Sequence, residues 1–312
     1  MRKAYACTAS VVVALMTTGA VAETEQRPFE AAAGGRFVLD ADWGRVEVET
    51  WDRDAADVVV ERTAELESLE FDEQEGTITV RARRKERGIF GWFRSGEAPL
   101  FQVTVPRRFD LDLRTAGGKI DIADMDGEVV ARTAGGGLVV GEVAGSVHGR
   151  TAGGSIRVAA ATGAADVATT GGTIRLGRVG GPVNARTTGG SIHIDDAQAS
   201  VSAHTTGGSV RLGEVGGTLD AKTTGGAIRA TLARQPEGDS KLRTTGGSIE
   251  LAVSEGIGVD IDARTTGGRV SSDLHAAVAV SQSRSALVVE VNGGGPKLTL
   301  RTTGGSIRLH TR

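Results

Sequence analysis

The chain has 312 residues, 36 basic against 39 acidic side chains for a net charge of −3, 46 glycines, only 4% aromatic residues and a single cysteine. That balance excludes the basic footprint of a nucleic-acid binder. One cysteine excludes an intrachain disulfide framework and a multi-cysteine metal site.

Residues 1–22 read as a secretory signal: Arg2 and Lys3 at the start, an apolar stretch from Val11 to Met16, and Ala20-Val21-Ala22 as a small-residue cleavage site. The apolar stretch is too short to span a bilayer. Cys7 lies inside this segment without a lipid-attachment pattern, so cleavage leaves a more acidic chain with no cysteine. The expected location is the periplasm, with surface association or release as the alternative.

Residues 23–110 carry no regular repeat but alternate as strands do, in Val46-Glu47-Val48-Glu49, Thr77-Ile78-Thr79-Val80 and Phe101-Gln102-Val103-Thr104-Val105. This region is expected to cap a stack of repeats that begins at residue 111. An acidic run from Glu65 to Glu75 reads as solvated surface. Within residues 81–94, basic residues flank the apolar tip Ile89, Phe90, Trp92 and Phe93. That tip suits either a lid over the end of the stack or a contact with a partner protein or an anionic membrane surface.

From residue 111 a glycine doublet, with threonine two residues ahead of it, returns at Gly117, Gly135, Gly153, Gly171, Gly189, Gly207 and Gly225, then at Gly246, Gly267 and Gly304. The first six intervals are all eighteen positions and the next two are twenty-one. The last is thirty-seven, which reads as two periods with one doublet lost. A fixed period of this size is one supersecondary unit stacked many times. In one specimen, Val183, Ala185 and Thr187 alternate with Asn184, Arg186 and Thr188, glycine breaks the run, and Ile192 and Ile194 resume it. The pattern predicts strand, tight corner, strand, and a second corner back to the next coil. The fold class is therefore all-β, a single-chain parallel β-solenoid with coils of about 18 residues and an N-terminal β cap region.

In such a stack each sequence column becomes a physical file with about 4.8 Å between members. The column three residues after the first glycine (Ile120, Leu138, Ile156, Ile174, Ile192 onward) is apolar and predicts the core, as do the columns of Ile122 and Val129. The threonine column from Thr115 to Thr302 shares core parity, so its hydroxyls are expected to bond to an adjacent coil. Two outward columns are basic. One holds Arg132, Arg150, Arg186, Lys222, Arg243 and Arg264, and the other Arg157, Arg175 and Arg211. They read either as a solvated surface that discourages aggregation or as a striped site for repetitive polyanions. The last repeat, Arg301 to Leu309, ends without an evident cap and is expected to leave an open strand edge.

Catalysis finds little support in the residues. The acidic side chains Asp121, Asp124, Asp126, Asp195 and Asp196 are scattered, the five histidines lack ligand spacing, and the Asp124-Met125-Asp126-Gly127 run lacks the other ligands of a calcium loop. No cofactor is expected.

Gly44-Arg45-Val46-Glu47-Val48, then Val103-Thr104-Val105-Pro106, then the serial Thr-x-Gly-x-Ile repeats together resemble the bacterial putative-adhesin family of β-strand repeat proteins. The resemblance covers roughly residues 30–312 and implies an envelope or extracellular β-solenoid with no family catalytic residues. The expected function is a non-enzymatic exported protein that binds an envelope surface or glycan. The alternatives are a periplasmic scaffold for a protein partner and, more remotely, a polysaccharide-acting enzyme.

Overall fold

The computed structural model describes residues 24–85, 97–275 and 277–312; the expected signal segment, 1–22, lies outside them. Among the described residues are 29 β-strands, one 3-10 turn at Thr63–Glu65 and no α-helix. The strands form two long sheets, of 14 and 15 members, packed face to face along one axis. The expected solenoid is present.

A middle coil shows how it is made. The strand Val183–Arg186 lies in the 15-stranded sheet, the chain turns through the glycine corner at 187–191, and Ile192–Ala197 lies in the 14-stranded sheet. A second corner at 198–200 returns it to Val201–His204, which pairs in parallel with Val183–Arg186 residue for residue. Each coil thus repeats its predecessor one period on, and alternation sends one side chain in and the next out. Val183, Ala185, Ile192 and Ile194 are all buried.

Each inward threonine is buried, and from Thr133 onward its hydroxyl donates to the carbonyl of the second glycine of a neighbouring coil, while Thr115 donates to Gly44 O. Thr187 reaches Gly172 O at 2.9 Å and Thr205 reaches Gly190 O at 2.7 Å. The same hydroxyl accepts from its own second glycine, Gly190 N to Thr187 Oγ1 at 3.3 Å. A buried hydroxyl is satisfied on both sides.

A third core file, Val143, Ala161, Val179, Ala197 and Val215, is hidden from a strict reading of alternation. The pattern slips just before it: Asp195 and Asp196 are both outside the core, as are their equivalents in neighbouring coils, and the next residue points in again. The slip is a kink shared by neighbouring coils, whose strands keep their one-to-one register across it.

The ends depart from serial stacking. At the carboxyl end, Lys297–Thr302 pairs with Ser240–Arg243 on one side and Val259–Thr265 on the other. Ile307–Thr311 likewise lies between Ile249–Val253 and Val270–Asp273. The last coil is therefore interior and the penultimate one is outermost. This corrects two expectations. The long interval from Gly267 to Gly304 is not two periods with a lost doublet: it holds the antiparallel hairpin of Ala277–Gln282 and Ala286–Val291, laid on Val259–Thr265. Nor does the final repeat present an open edge, because both its strands have partners. The free edges belong to Val270–Asp273 and Ala277–Gln282, where Val278 and Val280 are 67% and 62% exposed.

The amino end has the same inversion. Arg36–Ala41 and Arg45–Trp51 stack on Asp110–Thr115 and Ile120–Ile122, while Thr77–Arg84 and Leu100–Pro106 lie outside them. Antiparallel strands finish both sheets there: Ala55–Glu61 and Thr24–Glu30 on one, Leu66–Gln74 on the other. Ion pairs fasten both inversions. Arg83 meets Asp40 at 2.7 Å, and this hydrogen bond, opposed by burial, holds the Asp40 carboxyl below its ordinary pKa. Arg301 meets Asp262 at 2.6 Å. Burial pushes the Asp262 pKa up, but the hydrogen bond and charge of Arg301, with Arg264 beside it, outweigh that and hold it down.

Candidate functional site

The strand register turns the first basic column into a continuous file on the outer face of the 15-stranded sheet. It runs Arg114, Arg132, Arg150, Ala168, Arg186, His204, Lys222, Arg243, Arg301 and Arg264. The second file, on the 14-stranded sheet, runs Arg157, Arg175, His193, Arg211 and Arg229. The chain between Arg186 and His193 turns the glycine corner. The two files are thus the two flanks of one edge of the solenoid.

Charge is sorted around the cross-section. Bordering the opposite edge, the outward positions hold Glu142, Ala160, Arg178, Asp196 and Glu214 on one sheet and His148, Asp166, Asn184, Ser202 and Asp220 on the other. That edge is mixed to acidic, and the glycine edge is basic.

The ends of the first file are partly neutralised. Arg114 pairs with Asp112 at 3.0 Å, Arg132 with Asp112 at 3.6 Å, Arg150 with Asp166 at 3.1 Å and Arg264 with Asp262 at 3.0 Å. On the second, Arg229 pairs with Glu250 at 2.9 Å. Among the described residues Arg157, Arg175, Arg186, Arg211, Lys222 and Arg243 have no carboxylate at ion-pairing distance, and all six are exposed. His193 and His204 stand among them, 3.3 Å from Asp195 and 3.4 Å from Asp220. Uncompensated charge therefore concentrates on the middle coils.

Between the files the edge is nearly bare. At each corner an exposed small residue follows the buried threonine: Ala116, Ala134 and Ala152, then Thr170, Thr188, Thr206 and Thr224, with Thr245, Thr303 and Thr266 in the last coils. The first glycine of every doublet is exposed as well. Toward the amino end, Arg114, Arg132 and Arg150 with Ala116, Ala134 and Ala152 line an open groove of about 530 Å³. The exposed threonines form a column like the others, but strand parity alone does not mark them as part of a site. The signal for a single edge is the short count of residues from one basic column, across the corner, to the other.

Ile89, Phe90, Trp92 and Phe93 lie outside the described residues. The strands that their segment joins, Thr77–Arg84 and Leu100–Pro106, occupy the same positions about the edge as Arg36–Ala41 and Arg45–Trp51. Among the described residues no three His, Cys, Asp or Glu side chains converge as a metal site. Asp124, read against a calcium loop, instead uses its carboxylate to accept the Glu142 backbone N–H of the adjacent coil at 2.8 Å.

Two stacked, mostly parallel sheets joined by tight corners at a fixed period define a β-solenoid. A family model matches residues 36–310, and the chain belongs to that family, Toastrack DUF4097, in keeping with its resemblance to the putative-adhesin repeat proteins. No curated protein matches. Solved structures similar to the chain include a putative cell adhesion protein from Clostridium sporogenes (9% identity, 93% of this chain and 99% of that one, TM-score 0.23). Others are a putative adhesin from Bacteroides fragilis (12%, 93% and 97%, 0.26) and a putative lipid binding protein from Parabacteroides distasonis (12%, 93% and 96%, 0.35). At those scores the likenesses carry no functional argument.

Proposed function

We propose that this is a non-enzymatic, exported, adhesin-like protein that binds an anionic component of the cell envelope through its basic edge. The observation that carries the reading is the meeting of both cationic files on one edge, with six side chains on the middle coils that have no ion-pair partner among the described residues. Like charges about 4.8 Å apart repel, and nothing in the fold requires them there. An anionic ligand relieves that repulsion, and arginine grips carboxylate or phosphate with paired N–H donors. The periplasm or the cell surface is where an exported protein meets such a ligand.

The test is co-sedimentation of the mature protein with separated peptidoglycan, outer-membrane vesicles and anionic liposomes at low and high salt. Binding to one fraction that weakens with salt, and is lost when Arg186, Lys222 and Arg243 are changed to Ser, is the expected result. Absence of binding to every fraction overturns the reading and favours a protein partner for the segment containing Trp92 and Phe93.

A further inference from the structure

The two glycines of each corner are not equivalent. A Cβ on the second, at Gly172 or Gly190, would overlap the carbonyl of the second glycine one coil away, so glycine is obligatory there. The first has room. A Cβ on Gly117 would meet nothing within 4 Å, and on Gly135, Gly171 and Gly189 its nearest neighbours would lie at 3.7, 3.4 and 3.5 Å, ordinary contact. None of these four first glycines has a positive φ of the kind that favours glycine. Yet the first position is glycine, and exposed, at every corner from Gly117 to Gly304. Neither backbone conformation nor packing accounts for that at these four corners. Close approach of a ligand to the backbone does.

From this we infer that the ligand is a linear acidic glycan lying lengthwise along the glycine edge, an inference that rests on the basic-edge reading above. The bare strip is one line of backbone running with the solenoid axis, which suits a chain rather than a compact ion. Exposed hydroxyls of Thr170, Thr188, Thr206 and Thr224 border it and can exchange hydrogen bonds with sugar hydroxyls. The flanking arginines reach carboxylates from both sides. An extended pyranose chain advances by roughly one coil spacing per sugar, so carboxylates along it can reach arginines of one flank or the other. A membrane surface fits less well: among the described residues the exposed large apolar side chains are Val278 and Val280, on the carboxyl-terminal hairpin rather than on this edge.

The experiment measures binding of galacturonic acid oligomers, from the dimer to chains long enough to span the coils, with phosphatidylglycerol vesicles as the second arm. Affinity for the wild-type protein should climb with oligomer length. The triple variant Gly135→Ala, Gly171→Ala, Gly189→Ala should bind the longest oligomer roughly tenfold more weakly at an unchanged melting temperature. If that variant melts lower, Thr188→Val, Thr206→Val, Thr224→Val decides instead: weaker binding supports the inference and unchanged binding overturns it. Length-independent affinity, or full binding by a stable glycine variant, also overturns it. Vesicle binding without oligomer binding leaves the basic edge standing and removes the glycan, whereas failure in both arms removes the basic edge itself.

Discussion

The middle of the solenoid and its two ends solve different problems with the same strands. In the middle, each coil rests on the one made just before it, and the strands find partners above and below. At each end that supply stops, and an exposed edge invites uncontrolled pairing. Both ends answer by inverting the order. The sequence-terminal coil is tucked inside, a longer coil closes over it, antiparallel strands finish the sheets, and an Asp–Arg pair joins the inverted neighbours. Stacking in the middle is sequential and local; closure at the ends is long-range.

Removing residues 293–312 should therefore do far more than shorten an ordinary repeat array by one unit. Leu298, Leu300, Ile307 and Leu309 are fully buried, and at about 2 kcal/mol apiece their loss approaches the whole stability of an ordinary domain. The penultimate coil also loses its parallel neighbour. Urea unfolding should show loss of the cooperative transition, and limited proteolysis should cut throughout 254–292. A truncated chain that unfolds at the wild-type urea concentration would show that the inverted coil is dispensable.

The next effect in size lies within one corner of the middle. Gly190→Ala drives a Cβ into the Gly172 carbonyl and should cost about 3 kcal/mol. Gly189→Ala, one residue earlier, meets only ordinary contacts and should stay within about 0.5 kcal/mol of wild type. Equal losses from the two variants, measured by chemical denaturation, would contradict the asymmetry of the doublet.

The smallest effect tests the carboxyl-terminal fastening. The Asp262 pKa is depressed in the folded protein, so its contribution is present above the unfolded value near 3.8 and fades as pH falls through the still lower folded value. Asp262→Asn should lose about 1 kcal/mol at neutral pH, a figure discounted for the partial exposure of Arg301. The gap between variant and wild type should close below about pH 4. A gap that persists unchanged to pH 2 would assign the loss to packing rather than to the charge.

The coils are legible in the sequence because glycine, threonine and isoleucine return at a fixed spacing, and spacing is what stacking preserves. The inversions are not. Periodicity places Gly304 on the same column as Gly267, but nothing in a column says which coil is its neighbour in space. The long interval between them misleads for that reason: Ala277–Gln282 and Ala286–Val291 supply alternating residues as any coil would, yet they run antiparallel. The core file at Val179 and Ala197 is obscured because the kink before it breaks strict alternation. The basic files can be read as columns, whereas their meeting on one edge emerges only when the corner is counted across.

Interior placement of the last coil also sets when the molecule can be completed. A chain emerging from its amino end can stack coils up to Ile249–Val253 as they appear. The coil made next cannot take its final place, because its neighbour is the segment 297–311, still to come. Until those last residues emerge, the growing stack ends in an unpaired edge. Closure of this end therefore waits on the segment 297–311, whatever the order in which the earlier coils have stacked.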